Sequence, residues 1–337
     1  MISMTHDFVQ TLTVLPAAAV TVVNGANLGD AISFADELDL DDVYELHPRA
    51  VPRRLSVLPG TGGTLAIAPG SDAGRPGNAV HLDASLTMMT ASGGTTEVLL
   101  LVEVDGAGYA EAIYALPLAP LAARVGYTLV GIDRDGALTR FAQVACVSFS
   151  RGTHVTMASG AQVRIEDLQP GNLVLTRDDG PRPLRWIGKA TTRAVGFFAP
   201  IRIRAGALNN DGDLTVSPES RLFIYQRSDA LGAGRKEILV RARHLVNGDS
   251  VVQQGGGFID YYQLLFDDHQ IIYVEGIAAE TMLVDPRTRP ILPPDITDGP
   301  DTGQPEHERR AHMDFEVQER LVERPDAAEI LRRSSIR

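Results

Sequence analysis

Cys146 is the only cysteine in the 337 residues, and Ser148 follows it two positions later. On a β-strand, residues two apart share a face. The pair would then present a thiol and a hydroxyl side by side, the thiol being the stronger nucleophile near neutral pH. A single cysteine excludes an internal disulfide and any multi-cysteine zinc site. Without chemistry, Cys146 is simply a small buried apolar side chain. Downstream lie His154, His244 and His269. The cluster Asp267-Asp268-His269 is of a kind common on solvated turns, and neither HExxH nor GxSxG occurs. A metalloenzyme or serine hydrolase acting in trans therefore has no motif behind it. The Gly-rich run PGTGGTLAIAPGSDAG, Pro59 to Gly74, lacks the GxxxxGK[ST] pattern that cradles phosphate and reads as a flexible loop.

The segment from Cys146 to Thr192 is CVSFSRGTHVTMASGAQVRIEDLQPGNLVLTRDDGPRPLRWIGKATT. It reads as a strand, a small-residue turn at Ala158-Ser159-Gly160, a short acidic turn at Ile165-Glu166-Asp167-Leu168, and a Pro170-Gly171 turn feeding a strand from Leu173 to Thr176. This order resembles the opening of a Hint module, the fold shared by inteins and the autoprocessing part of Hedgehog proteins. Later blocks carry the same resemblance: LTVSPESRLFIY from Leu214 to Tyr225, VRARHLVN from Val240 to Asn247, and YQLLFDDHQIIYVEG from Tyr262 to Gly276. Together they look like the bacterial Hint subfamily often met in marine alphaproteobacterial proteins.

The resemblance implies a chemistry. In such modules the leading Cys or Ser attacks the carbonyl of the residue before it, turning an amide into a thioester or ester. A Thr-x-x-His motif supplies the imidazole that holds the scissile amide and protonates its departing nitrogen. A further Asp or His comes from a late strand. Aligned on Gly152-Thr153, the subfamily's opening puts Ser148 at the nucleophile position, with Cys146 as the stand-in. Ser217-Pro218-Glu219-Ser220 falls on Thr-x-x-His, so Ser217 takes the Thr place and Ser220 the His place. Counting back from Glu275-Gly276 puts Gln263 where relatives carry Asp or His.

Both substitutions weaken proton transfer. A serine hydroxyl has no accessible pKa near 7, and losing a general acid costs about 100- to 10,000-fold in rate. Glutamine can position a group but cannot take its proton. His244 and His269 are the residues left to take over the acid role; as a structural residue, His244 would bridge backbone groups beside Leu245. Glu280-Thr281 stands where a splicing intein has His-Asn, so no succinimide forms and no C-terminal segment is released. The implied function is single-turnover self-processing, with ester formation and cleavage before Ser148, weakened by Ser220 and Gln263. The alternative is a catalytically inactive Hint scaffold serving as a structural or interaction module. The substrate is the chain's own N-terminal segment, and no cofactor or metal is called for.

The rest of the chain must position these residues. Its 44% hydrophobic content and its length suit two domains. A formal charge of -12, from 43 acidic against 31 basic residues, argues against a nucleic-acid partner and serves solubility. The apolar stretch Leu12 to Val23 is broken by Thr and Pro and makes neither a signal peptide nor a membrane span. The compartment stays open, between cytoplasmic and exported without a cleavable N-terminal signal. The fold expected is mainly β. Residues 1–143 form an N-terminal antiparallel β-domain, with runs at Leu12 to Val23, Leu65 to Ile67, Glu97 to Val104 and Tyr127 to Ile132. Turn signals lie at Ser92-Gly93-Gly94, Asp105-Gly106 and Asp135-Gly136. Residues 144–285 form an all-β Hint-like horseshoe of short strands, the first from Val144 to Phe149 running through its middle. Residues 286–337 are a Pro/Asp/Gly linker, Pro290 to Gln304, and a helical tail from about Met313 to Glu323 and again after Pro325. Phe315, Leu321, Ile330 and Leu331 form an apolar stripe that docks on the body.

Overall fold

The computed structural model describes residues 9–59, 64–146, 148–226, 229, 231–284, 288, 291–293, 296, 315, 317, 319–322, 324 and 326–335. It divides into two compact units, residues 1–143 with 285–291, and residues 144–284 with 292–337.

The first unit contains β1 (Gln10–Pro16), β2 (Val20–Asn24), β3 (Val43–Leu46), β4 (Arg53–Pro59), β5 (Leu65–Ile67), β6 (Ala79–Thr90), β7 (Thr95–Val104), β8 (Ala110–Pro117) and β9 (Tyr127–Asp133). Strand β6 organises it. One edge of β6 pairs with β7 along its length, while the other pairs with β5 at its start and β9 at its end. The antiparallel ring β6-β5-β4-β1-β8-β7 therefore closes on itself, and β9-β3-β2 extends from it. Closure removes the exposed edges that invite aggregation. Leu86, Met88, Val98, Leu100, Ala115 and Leu129 lie in its core.

Several local expectations need correction here. Leu12 to Val23 is not one strand, because a 3-10 turn at Ala17–Ala19 separates β1 from β2 after Pro16; proline has no N–H to continue a ladder. Asp135-Gly136 leads into a helix, α1 (Ala137–Ala145), rather than another strand. The Asp133 carboxylate accepts the Gly136 N–H at 2.8 Å just before it. Part of the run read as a flexible loop is β5, and the segment after it is pinned. The buried Glu103 carboxylate accepts from the Arg75 N–H at 2.8 Å, the Asn78 amide at 2.7 Å and the Tyr114 hydroxyl at 2.8 Å.

The second unit contains β10 (Phe149–Ser150), β11 (His154–Thr156), β12 (Gln162–Arg164), β13 (Leu173–Thr176), β14 (Gly180–Pro183), β15 (Trp186–Arg193) and β16 (Ile201–Ile203). It continues with β17 (Leu214–Val216), β18 (Arg221–Tyr225), β19 (Glu237–Arg241), β20 (Val251–Gln253), β21 (Phe258–Leu265), β22 (Ile271–Val274) and β23 (Ile277–Glu280). One sheet runs β15-β21-β10-β17-β16-β20, and a second runs β12-β11-β22-β23-β18-β19 with β13 and β14 attached to β22. Both contribute to a single core that includes Phe149, Val155, Val216, Leu222, Leu264 and Ile272. Pro170 and Gly171 form a tight turn in which Asn172 N–H donates to the Gln169 carbonyl, and Gly171 has φ 89°. Proline then glycine at the two central positions is what such a turn requires.

The first strand of this unit is shorter than expected. Residues up to Ala145 are helical, Cys146 lies in a bend, and β10 starts only at Phe149. The tail helices α2 (Glu319–Val322) and α3 (Ala327–Ser335) bury Val322, Ala327 and Leu331 in the main core, with Leu321 and Ile330 packed against it. Phe315 sits apart, against Phe223, Leu239 and Ile271. Met313 and Glu323, named as bounds of a tail helix, and Pro290, Gln304 and Pro325 lie outside the described residues. No helix among the described residues is long and apolar enough to cross a membrane.

Candidate functional site

Strand register brings the candidate residues together. Phe149 pairs with Tyr262 on one side and Val216 on the other. One position earlier, Ser148 therefore faces Gln263 on one flank and Ser217 on the other. Side chains alternate along strands, so these three lie on the face turned away from the core residues Phe149, Val216, Tyr262 and Leu264. The fourth member arrives by a turn. After β17 the chain reverses through Ser217-Pro218-Glu219-Ser220, closed by the Ser220 N–H to the Ser217 carbonyl at 3.0 Å. The fixed φ of proline suits the second position of that turn. The turn is held from outside by the Ala242 N–H on the Ser220 carbonyl and the Arg243 N–H on the Pro218 carbonyl.

All four side chains are buried, Ser148 at 2%, Ser217 at 7%, Ser220 at 0% and Gln263 at 4% exposure. The Ser148 N–H points at two hydroxyl oxygens, Ser217 Oγ at 3.2 Å and Ser220 Oγ at 3.3 Å. The Ser217 hydroxyl donates to the Cys146 carbonyl at 3.2 Å, and that of Ser220 to the Ser148 carbonyl at 3.0 Å. The two hydroxyl oxygens are 2.9 Å apart. Each hydroxyl carries one proton, so with both protons on these carbonyls the oxygens are left as acceptors for the amide. The Ser148 carbonyl also accepts the Ser217 N–H at 2.9 Å. On the other flank, Gln263 Nε2 donates to Ser148 Oγ at 2.9 Å.

The remaining candidates are placed differently. Cys146 is 1% exposed and lies in the bend before β10, so it does not share a strand face with Ser148 as the sequence suggested. The reason is that α1 continues to Ala145, leaving too few residues for an extended run. The His244 ring is bonded to a side chain: Arg243 Nε donates to His244 Nε2 at 3.3 Å, which fixes that nitrogen as an acceptor. His269 is buried, with Nε2 3.2 Å from the Thr281 carbonyl and 3.3 Å from Glu280 Oε1. Both neighbours are acceptors, so this nitrogen is the donor. Glu280 is in turn paired with Arg221 at 2.6 Å. His154 Nδ1 contacts Glu275 Oε1 at 2.9 Å. The hydrogen bonds that join Ser148, Ser217, Ser220 and Gln263 pass through none of these histidines.

What sequence reading missed is mostly backbone. The Cys146 and Ser148 carbonyls and the Ser217 N–H shape the cluster, yet backbone groups carry no sequence signature. The Arg221–Glu280 pair did leave one, a lone arginine opening the apolar strand RLFIY. Tyr261 neighbours Gln263 on β21; its hydroxyl donates to the Phe198 carbonyl at 3.1 Å, and burial pushes its phenol above the usual range. It is no base at neutral pH. Glu166, in the acidic turn, braces the loop after Ser148 by accepting the Gly152 N–H at 2.8 Å. Burial pushes its carboxyl up, but the Gly152 and Glu166 N–H groups with Arg151 and Arg164 hold it below its ordinary range on balance. Among the described residues, no group of three or more His, Cys, Asp or Glu side chains could hold a metal ion.

Residues 147–286 match the family model of the Hint domain. The second unit carries a Hint domain. No curated protein matches the chain. The match begins within the cluster just described, so Ser148 lies at the start of the Hint domain and Gln263 on one of its late strands.

Proposed function

We propose that this is a Hint-domain protein whose self-processing chemistry is silent, so that the Hint domain acts as a structural or interaction module and stays joined to the N-terminal β-barrel. The observation that carries the reading is the hydrogen-bond network around Ser148. An N-to-O acyl shift requires Ser148 Oγ to lose a proton while it bonds to the preceding carbonyl carbon. The Ser148 nitrogen must then gain a proton as its bond to that carbon breaks. The group next to Oγ is the Gln263 amide, which donates to the oxygen and has no basic site to receive its proton. The groups next to the nitrogen are two hydroxyls acting as acceptors for its N–H. Neither delivers a proton as an imidazolium would. Missing acid catalysis of about 100- to 10,000-fold corresponds to roughly 3 to 5 kcal/mol of barrier.

A second reading, slow ester formation at Ser148 with release of the N-terminal segment, is favoured by the meeting of Ser148, Ser217, Ser220 and Gln263 in one buried cluster. Hydroxylamine separates the two, because it cleaves an ester and leaves an amide. The purified chain is incubated for several days with and without hydroxylamine and weighed intact. The silent reading expects one unchanged mass in both; an N-terminal fragment ending at Val147 that grows with hydroxylamine would establish the second.

A further inference from the structure

The chain contains two Asn-Gly pairs, Asn24-Gly25 and Asn247-Gly248, and they sit in opposite surroundings. An asparagine before glycine is labile, because glycine has no Cβ to crowd its own amide nitrogen, the group that attacks. At Asn247 every participant is tied. Its carboxamide oxygen accepts the Asp249 and Val251 N–H groups, each at 3.0 Å, and its Nδ2 donates to Ser250 Oγ at 3.0 Å. The Gly248 N–H donates to the Val251 carbonyl at 3.2 Å. This is the side-chain-to-backbone bonding by which asparagine fixes a turn.

Asn24 ends β2 and is exposed, as are Gly25 and Ala26. On one edge of that strand Val22 makes the last main-chain bonds, donating to the Asp30 carbonyl and accepting the Gly29 N–H, both at 2.9 Å. Asn24 lies in the loop that these bonds close. On the other edge the ladder shifts register between Val22 and Asn24 and ends at the Asn24–Val43 pair. Among the described residues the Asn24 carboxamide makes no hydrogen bond, and neither does the Gly25 N–H beyond that last pair. The glycine itself is fixed by geometry, since its φ is 132° and a Cβ there would overlap Asp42 Oδ1. That oxygen accepts the Ala26 N–H at 2.6 Å, while the other oxygen of Asp42, buried, has no partner among the described residues.

We propose that Asn24 is a site of spontaneous deamidation in the folded protein, while Asn247 is protected. The Gly25 nitrogen bonds to Asn24 Cγ as the Cγ–Nδ2 bond breaks, and ammonia leaves with the Gly25 amide proton. Water then opens the cyclic imide, its oxygen going to one of the two carbonyl carbons on the ring nitrogen and a proton to that nitrogen. Opening at Cγ gives aspartate; opening at the main-chain carbonyl gives isoaspartate, with one more carbon in the main chain. Either product adds a negative charge beside the loop that Asp42 anchors, and isoaspartate shifts the Ala26 N–H away from Asp42. The test ages the full chain in warm, mildly alkaline buffer, with and without urea. Peptides spanning each pair are then mapped by tandem mass spectrometry that separates aspartate from isoaspartate. Native protein should convert Asn24 about tenfold or more faster than Asn247, and in urea, where neither turn persists, the two rates should come together. The isoaspartate form, separated by ion exchange, should melt below the unmodified chain. Equal native rates, faster loss at Asn247, or conversion of Asn24 in urea only would overturn the proposal. An unchanged melting temperature would overturn the loss of the Asp42 anchor.

Discussion

The side-chain amide of Gln263 donates to the hydroxyl of Ser148 across 2.9 Å, with both residues buried. That bond occupies a lone pair of Ser148 Oγ with an amide that offers no basic site in return. The strand register that produces it puts Ser217 on the opposite flank, and the turn after Ser217 delivers Ser220. The Cys146 carbonyl and the Ser148 backbone thereby join a hydrogen-bonded cluster whose side chains are hydroxyls and an amide.

The two serines of the turn should behave as one unit. Either hydroxyl alone leaves the Ser148 N–H an acceptor, so Ser217→Ala or Ser220→Ala should each cost about 1 kcal/mol of unfolding free energy. The double variant orphans a buried N–H and should cost about 1 to 3 kcal/mol more than the sum. Urea denaturation of the four proteins in a double-mutant cycle measures the coupling. Simple additivity would mean that the N–H has found another acceptor.

Cys146 should be chemically quiet. At 1% exposure its thiol should react with a disulfide reagent only as fast as the domain opens, and at once in denaturant. Cys146→Ala should leave the chain whole over days and cost about 1 to 2 kcal/mol for the buried atoms removed. A fast native reaction would show that the bend before β10 opens readily.

The pair Arg221 and Glu280 is a buried ion pair, with side-chain exposures of 8% and 0%. Removing only the carboxylate, as in Glu280→Leu, should destabilise by about 3 to 5 kcal/mol because the guanidinium stays buried beside an apolar side chain. Adding Arg221→Met should recover much of that loss. Chemical denaturation of the single and double variants compares them directly, and a double variant weaker than the single would refute the pairing account.

Acid should loosen the loop after Ser148 through Glu166. Its folded-state pKa lies below its unfolded value, so its contribution is present above the usual glutamate value of about 4.3 and fades as pH falls through the lower folded value. Glu166→Gln should therefore cost about 1 kcal/mol at pH 7 and nearly nothing well below pH 4. Stability measured against pH for both proteins gives the difference, and a constant gap across the range would exclude the charge as its source.

The sequence made the short apolar strands readable. Leu65–Ile67, Leu173–Thr176, Ile201–Ile203, Leu214–Val216 and Ile271–Val274 are compact runs bounded by turn residues, and the strands have those limits. Strands with mixed composition were harder. β14 is Gly-Pro-Arg-Pro and shows no alternation, whereas β6 does alternate, apolar at Val80, Leu82, Ala84, Leu86 and Met88 and polar at His81, Asp83, Ser85 and Thr87, so its period-two signal was present in the sequence. Residues 137–145 have no serine or threonine cap, and the apolar run reaching on to Phe149 hid a helix that ends just before Cys146. For the cluster, the spacing of the family blocks located Ser148, Ser217, Ser220 and Gln263. The direction of each hydrogen bond was not legible, because it depends on carbonyls and N–H groups that carry no residue-specific signal.

The most direct measurement is intact-mass spectrometry of the wild-type chain and the Ser220→His/Gln263→Asp variant, incubated side by side for several days. The variant restores an imidazole beside the Ser148 nitrogen and a carboxylate beside its oxygen. If the missing proton-transfer groups are what keep the chain whole, the wild type holds one full-length mass, while the variant splits before Ser148 at a rate raised by part of the roughly 100- to 10,000-fold that general-acid catalysis supplies. Wild-type protein that splits there as fast as the variant would contradict the account.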